Sequence, residues 1–287
     1  MQEIKEVKIK DKNFPESLRN IPKAPERIFV RGEILPEDKV AIAIVGARKC
    51  TSYGKQVAYD FAYALAKNGV TIVSGLAIGI DGEAHKGALD AGGRTLAVLG
   101  SGIDDNSIYP YSHKSLADRV LENGALISEY EPGTPSLKHQ FPERNRIVSG
   151  LSLGVLIVEA KEKSGSLITA GIALEQGKDI FAVPGQIFAQ SSKGTNKLIQ
   201  EGAKLVLEPQ DILDELEIAG VNIKKQKIEL TETEEKILKH LKDETMHIND
   251  IIKRSGLAAN SVLTAITMLE MKKIIQNIGG NIYTIKI

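Results

Sequence analysis

Basic and aromatic side chains lie close together in one short segment, residues 138–146. In chain order they are Lys138, Phe141, Arg144, Asn145 and Arg146, with Pro142 and Glu143 between them. Pro142 is typical of the first turn of a helix, where cations oppose the helix dipole, so both arginines need a negative partner. A phosphate is one such partner, and an exposed Phe141 could stack on a base at about 1–3 kcal/mol. Alternatively, Phe141 packs inward and the arginines pair with Glu143 or Glu131.

Two further segments carry groups that attract phosphate. Gly46-x-Arg48 follows the apolar run 40–46 and places a guanidinium beside the start of a helix, where backbone N–H groups favour an anion. Ser164 and Gly165 open another helix and expose N–H groups in the same way. The alternatives are a surface arginine after a tight turn and a simple helix cap.

Glycine-rich loops follow the next strands of the sequence. Residues 74–82 contain three glycines and Asp81, which can cap the following helix, and Gly100-Ser101-Gly102 forms a similar loop. Because parallel strands end at one edge of a sheet, these loops meet there and leave room for an extended ligand.

Composition narrows the classes of function. Lys plus Arg and Asp plus Glu both number 37, so a nucleic-acid site must be a local patch. The single cysteine, Cys50, allows no internal disulfide and indicates a reducing cytoplasm. Gly-x-Ser-x-Gly is missing and the five histidines have no ligand spacing, so we expect no catalytic residue, metal or cofactor. We expect His85 and His113 at helix surfaces or caps, and the N-terminus predicts neither signal peptide nor membrane span.

Apolar runs alternate with helical patterns from residue 40 to residue 202. This order predicts an α/β fold, an extended Rossmann-like and mainly parallel sheet with helices on both faces. The expected divisions are a short N-terminal leader over 1–38, a Rossmann-like core over 39–216, a linker over 217–230 and a winged-helix domain over 231–287.

The last part of the chain has a different pattern. Thr231 and Glu234 form a capping box, Gly256 ends a second helix, and a run that alternates about Gly279-Gly280 predicts a hairpin. Three helices and a hairpin indicate a winged helix. Its third helix has no Lys or Arg before Lys272, so we expect a role in protein interaction rather than sequence reading. The basic run 224–227 is expected to be a solvated tether.

These loops together resemble the DNA-processing protein A family, also called Smf, over residues 14–216. The matching segments are Val45-Gly46-x-Arg48, Ser74-Gly75-Leu76-Ala77-x-Gly79-Ile80-Asp81, Phe141-Pro142-x-Arg144-Asn145-Arg146-Ile147, Glu159-Ala160 with Ser164-Gly165-Ser166-Leu167-Ile168-Thr169-Ala170, Val183-Pro184-Gly185, and Gly194-Thr195-Asn196-x-Leu198-Ile199-x-x-Gly202-Ala203.

The resemblance implies a cytoplasmic homodimer that binds single-stranded DNA without catalysis, protects incoming strands during natural transformation and helps to load the RecA recombinase. It implies that Arg48, Lys138 and Phe141 are the main DNA contacts, with Arg144, Asn145, Ser164 and Gly165 as neighbours. It also implies self-association and partner contact around Leu198, Ile199 and Leu205. Most of the family's N-terminal helical domain is expected to be missing.

Two other classes of function compete with this one. Ser164-Gly165-Ser166 with Thr169 and Glu175 faintly resembles the glycine-rich loop of nucleoside-monophosphate phosphoribohydrolases, although the Pro-Gly-Gly-x-Gly-Thr turn of those enzymes is absent. The other class is a protein-only scaffold whose basic loop binds an acidic partner. Hydrolysis of nucleoside monophosphates would identify the enzyme. Failure to bind polyanions, with protein partners retained, would identify the scaffold.

Overall fold

A computed structural model describes residues 2–218, 230–241, 244–272 and 274–285. These residues form two compact units, one before and one after the segment 219–229. Most of the predicted linker, including Lys224 to Lys227, therefore lies outside the described residues. Each unit has its own hydrophobic core.

The described part of the first unit contains a nine-stranded sheet. Its strands are β1 (Ile4–Lys8), β2 (Arg27–Gly32), β3 (Ala41–Val45), β4 (Thr71–Ser74), β5 (Thr95–Leu99), β6 (Gly124–Ser128), β7 (Gly154–Ile157), β8 (Asp179–Ala182) and β9 (Lys204–Leu205). They lie in the order β1-β2-β6-β5-β4-β3-β7-β8-β9. The strands from β6 to β9 in that order are parallel, and β1 and β2 are antiparallel additions.

Helices cover both faces of this sheet. They are α1 (Glu16–Arg19), α2 (Ser52–Lys67), α3 (Ile80–Asp90), α4 (Lys114–Glu122), α5 (Gln140–Gly150), α6 (Gly165–Glu175), α7 (Lys193–Gln200) and α8 (Pro209–Glu215). Side chains of β3 alternate between the two cores: Ala43 packs with Ile147 of α5 on one face, and Ile44 packs with Phe61 of α2 on the other. The predicted mainly parallel sheet with helices on both faces is confirmed.

The N-terminal segment differs from the predicted leader, because two of its stretches are strands of the sheet. β1 pairs with β2 from Ile4 opposite Arg31 to Lys8 opposite Arg27, and β2 pairs with β6. β1 is an edge strand, and of its five residues only Val7 is buried. Its sequence is therefore as polar as that of a leader. Phe14 and Leu18 join the core beneath α5.

The second unit has the predicted winged-helix architecture. Its described elements are α9 (Glu232–Leu241), β10 (Met246–His247), α10 (Ile248–Ser255), α11 (Ala259–Met271), β11 (Ile275–Asn277) and β12 (Ile282–Ile285). The capping box forms as predicted, since Thr231 N donates to Glu234 Oε2 at 2.7 Å and Glu234 N donates to Thr231 Oγ1 at 3.3 Å. Gly256 ends α10 with a φ of 65°. The short β10, which pairs with β12, was not predicted.

Candidate nucleic-acid interface

An open pocket of about 470 Å³ lies at the carboxyl edge of the large sheet. The loops after β3, β4 and β5 and the first turns of α5 and α6 form its walls. Eight residues were predicted to contact a phosphate or a base, and all of them except Arg146 are in the lining: Arg48, Lys138, Phe141, Arg144, Asn145, Ser164 and Gly165. The topology explains this grouping, because parallel strands bring the loops that follow them to one edge.

The loop that carries Arg48 is held in place at several points. Ala47 N donates to Glu159 O at 2.8 Å, and Ile80 N donates to Ala47 O at 3.3 Å. The buried carboxylate of Glu159 accepts hydrogen bonds from Thr51 N at 2.9 Å and Thr51 Oγ1 at 2.5 Å. The exposed Arg48 side chain therefore extends from a backbone that is already ordered. This role of Glu159 was not predicted from the sequence.

The Phe141 ring is close to both Arg48 and Tyr109. The guanidinium carbon of Arg48 is 4.8 Å from the centre of the Phe141 ring, and the Tyr109 ring centre is 5.8 Å away at an interplanar angle of 46°. Phe141 is half-buried, between the exposed and the inward alternatives, while Lys138 is exposed. Two cations and two aromatic rings thus line the same pocket. Tyr109 was not among the predicted contacts.

Arg144 was predicted to contact a phosphate or to pair with Glu143 or Glu131, but its side chain is buried against the glycine loop after β4. Its side chain is only 5% exposed, and its Nη2 donates to Gly75 O at 3.0 Å. Asp81 Oδ2 accepts from Gly75 N at 3.1 Å, so the arginine and the aspartate hold the same glycine from both sides. Burial lowers the pKa of Arg144 to about 10 and raises the pKa of Asp81, an increase that the charge of Arg144 opposes. Arg144 therefore organises the glycine loop.

Arg146 lies outside the pocket lining. Its Nη2 donates to both carboxylate oxygens of Glu129, at 2.6 and 2.7 Å. The sequence alternative named Glu143 or Glu131 as the partner of the arginines, but Glu143 accepts from the Tyr130 hydroxyl and Glu131 pairs with Arg27. Arg146 is thus joined to the segment after β6.

The helix starts in the pocket differ in detail from the prediction. α5 begins at Gln140, two residues before Pro142, and the Gln140 carboxamide oxygen accepts from Leu137 N at 2.5 Å. α6 begins at Gly165, and its N-cap Ser164 accepts from Ser166 N at 3.4 Å. Open space surrounds the position where Gly165 would carry a Cβ. The first turn of α6 is therefore accessible to a ligand in the pocket.

The residues predicted for self-association lie elsewhere on the first unit. Leu198 lines an open pocket of about 500 Å³ together with Leu174 and Ala203, whereas Ile199 and Leu205 are outside that lining. Leu205 on β9 is exposed, as an edge strand allows. The apolar side chains available for contact therefore come from α6, α7 and β9.

His85 is fully buried, not at a helix surface as the sequence analysis expected. Thr95 Oγ1 donates to Ile72 O at 2.8 Å, so at 2.7 Å it accepts from His85 Nδ1. Burial, with smaller contributions from His113 and Arg144, lowers the pKa of His85 to about 3. The ring is therefore neutral in the folded protein over the physiological range.

This burial predicts a loss of stability in mild acid. Between about pH 7.5 and about pH 5.5 the unfolded chain, with a pKa of about 6.5, binds a proton that folded His85 does not bind, which costs about 1.4 kcal/mol. In urea unfolding over this range, the free energy of unfolding should fall further for the wild type than for His85→Asn, by about that amount. Equal falls for the two proteins would contradict the neutral, buried ring.

Other kinds of site find little support in the described part of the chain. No three His, Cys, Asp or Glu side chains there are grouped so that they could hold a metal ion. Nor does any helix among these residues have the length and apolar character needed to cross a membrane. Glu175, the carboxylate of the hydrolase alternative, ends α6, about 9 Å along the helix beyond Thr169, the last residue of α6 in the pocket lining.

Comparisons with known proteins agree with this fold. A family model described as DNA recombination-mediator protein A matches residues 5–217, and one described as the DprA winged helix domain matches residues 224–281. Protein Smf of Escherichia coli is 40% identical over 279 residues, 93% of this chain and 74% of that protein. DNA processing protein DprA of Bacillus subtilis is 45% identical over 216 residues, 75% of this chain and 72% of that protein.

Two solved structures are also similar. The X-ray structure of DNA processing protein A from Streptococcus pneumoniae has a TM-score of 0.70 and 44% identity, and the match covers 75% of each chain. A structure of DNA processing protein A from Helicobacter pylori, described as giving insight into its single-stranded DNA binding mode, has a TM-score of 0.67 and 31% identity. That match covers 76% of this chain and 99% of the other.

Proposed function

The chain belongs to the DNA recombination-mediator protein A family, and on that premise we propose that it binds single-stranded DNA at the carboxyl edge of its large sheet without changing the DNA chemically. The observation that carries the proposal is the Arg48 guanidinium over the Phe141 ring, in a pocket that the exposed Lys138 also lines. Cations and an aromatic ring in one open pocket are the groups that single strands need.

Arg48 and Phe141 explain how binding proceeds. In the free protein the guanidinium covers one face of the ring, a contact worth about 0.5–1 kcal/mol at an exposed site. When a phosphate draws Arg48 away, that face becomes available to a base, whose stacking is worth about 1–3 kcal/mol. The exchange favours bound DNA. It also favours single strands, since bases in a duplex are already stacked on one another.

The second unit is not needed for this contact. The described length of α11 has one charged residue, Glu270, and its exposed side chains include Leu263, Met268 and Met271. A helix that reads DNA usually brings cations to the phosphates, and this one presents apolar groups. We assign the winged helix to protein interaction or another auxiliary role.

A truncated chain tests whether the protein binds single-stranded DNA and whether the first unit binds it without the winged helix. Wild type and a chain that ends after Ile218 should bind a single-stranded oligonucleotide with affinities within about threefold of each other, and duplex of the same sequence should compete poorly with both. Fluorescence anisotropy with unlabelled competitors measures this. Strong duplex competition, or loss of binding on truncation, would contradict the assignment of the site to the first unit.

Membership of the family is the basis for proposals about self-association, location and the role of the protein in transformation. We propose that the chain forms a homodimer through the apolar surface around Leu198, Ile199 and Leu205, that it acts in the cytoplasm, and that it protects incoming strands in natural transformation and helps to load the RecA recombinase. The exposure of Leu205 and the pocket beside Leu198 support self-association.

We further propose that the protein is not an enzyme. The position of Glu175 argues against phosphoribohydrolase activity, because it lies at the far end of α6 from the pocket. Asp81, the carboxylate that does line the pocket, is engaged by Gly75 N. Release of ribose 5-phosphate from nucleoside monophosphates would overturn this view. Failure to bind any polyanion, with protein partners retained, would favour the scaffold alternative.

A further inference from the structure

The loop after β8 presents two apolar side chains to solvent. Phe188 is 89% exposed, more than any other large hydrophobic residue that the structure describes, and its neighbour Ile187 is 73% exposed. Isolated exposed apolar residues are common, but an aromatic ring and a branched side chain together at a loop tip form a contact surface.

This loop is held in a defined shape. Ala189 N donates to Gln186 O at 3.0 Å, which closes a turn with Ile187 and Phe188 at its centre. The Asn196 carboxamide donates to Gly185 O at 2.9 Å and accepts from Gly185 N at 3.1 Å, so it fixes the base of the loop to α7. The two apolar side chains therefore extend from an ordered tip.

The base of this loop is joined to a segment that leads into the pocket described above. Ala160 N donates to Ser191 O at 2.9 Å and Gly194 N donates to Ala160 O at 2.8 Å, so the loop is hydrogen-bonded to the segment that leads into Ser164 and Gly165. In the sheet, β8 is two strands from β3, the strand that precedes Arg48. At about 4.8 Å between strands, that is about 10 Å along the edge.

Exposed cations lie on the segments that adjoin this loop. Lys161 and Lys163 lie on the segment after β7, Lys193 begins α7, and all three side chains are exposed, with Glu162 as the acid between the first two. A stacking surface bordered by cations is the arrangement that a single strand recognises.

We propose that Ile187 and Phe188 form a second stacking platform for single-stranded DNA. Bases beyond those held at Phe141 stack on the Phe188 ring, and Lys161, Lys163 and Lys193 contact the adjoining phosphates. The strand then runs along the carboxyl edge from the loop after β5 to the loop after β8. This inference rests on the proposed function, because it extends the same DNA track.

Oligonucleotide length separates the two platforms. An oligonucleotide of about 4 nucleotides occupies the Phe141 pocket alone, and one of about 16 nucleotides reaches both platforms. Phe188→Ala should weaken binding of the longer one by about 5- to 150-fold, the equivalent of one lost base stack, and leave the shorter one unchanged. Since no charge is removed, the dependence of affinity on salt should not change. The side chain is exposed, so the variant should fold normally.

Fluorescence gives an independent measurement. The chain has no tryptophan, so Phe188→Trp introduces a single reporter that keeps the stacking surface. Its emission should be quenched by the longer oligonucleotide and not by the shorter one, and its affinity should match the wild type. Leu153→Trp, at an exposed position directly before β7 and so at the opposite end of the parallel strands, is the matched control and should not be quenched.

The outcomes distinguish the platform from the function. If wild type binds both oligonucleotides and Phe188→Ala binds them equally well, the platform is wrong and the function stands. If Phe188→Ala weakens both to the same extent, there is no separate second platform. If the substitution changes only the mass of the protein in solution, the loop is an interface between copies, and the platform is overturned. If wild type binds neither oligonucleotide, the proposed function fails, and the platform with it.

Discussion

A methyl group at position 79 should both destabilise the core and disable the DNA site. Gly79 has a φ of 87°, a backbone angle that residues other than glycine rarely adopt. A Cβ at this position would lie 2.4 Å from Ala47 O and 2.6 Å from Arg48 O. Backbone strain and the displaced Arg48 loop together should lower the free energy of unfolding of Gly79→Ala by about 2–5 kcal/mol. Urea unfolding measures the loss, and oligonucleotide titration of the folded fraction should show greatly weakened binding.

Gly177→Ala is the matched control for this substitution. Gly177 also has a positive φ, 68°, but nothing lies within 4 Å of its Cβ position. This variant should show only the cost of the strained backbone, about 1 kcal/mol, with unchanged DNA affinity. If Gly79→Ala proved as stable as Gly177→Ala and bound DNA as wild type does, the close contact between Gly79 and the Arg48 loop would be disproved.

Removing the charge of Arg144 should have a comparable effect for a different reason. Arg144→Met leaves the buried Asp81 carboxylate without its nearby cation and Gly75 O without its donor, which should lower the free energy of unfolding by about 3–5 kcal/mol. Arg119→Met, which breaks an exposed pair with Asp90, should cost about 1 kcal/mol or less. Urea unfolding of both variants checks this.

A second substitution identifies the cause of that loss. Adding Asp81→Asn to Arg144→Met removes the charge that burial penalises, so the double variant should recover part of the stability. A double variant less stable than Arg144→Met by the full cost of Asp81→Asn alone would show that the two side chains act independently. The role of Arg144 in organising the glycine loop would then have to be abandoned.

Much of the architecture could be predicted because buried parallel strands have a simple pattern. Runs such as Ala41–Val45 are apolar on both faces, and the loops after such strands meet at one edge, so Arg48 and Ser164 could be placed together before any coordinates. Edge strands lack that pattern. β1 buries one side chain fully and β9 has two residues, so neither stood out from polar loop sequence.

Within the site, residue type could not separate Arg144 from Arg146. The two arginines are two residues apart on a helix, so their side chains are directed to nearly opposite sides. The packing of α5 on the sheet decides which of them faces the glycine loop. Arg144 reaches Gly75, and Arg146 reaches Glu129. The prediction for His85 was wrong for the same reason. Nothing in the sequence of a helix shows that one of its histidines is buried, and the contact of His85 with Thr95 forms only in the folded protein.

The most direct test of the account is the salt dependence of single-strand affinity for wild type and for the double variant Arg48→Ala with Lys138→Ala. We predict strong wild-type binding that weakens with salt, and weaker double-variant binding whose logarithmic slope is shallower by roughly 1.4, or about 0.7 for each lost phosphate contact. Lys39→Ala with Lys67→Ala is the control, because these exposed cations lie at the opposite edge of the sheet and should leave both affinity and slope unchanged. If the double variant matched wild type in affinity and slope, the DNA site would not be at the carboxyl edge.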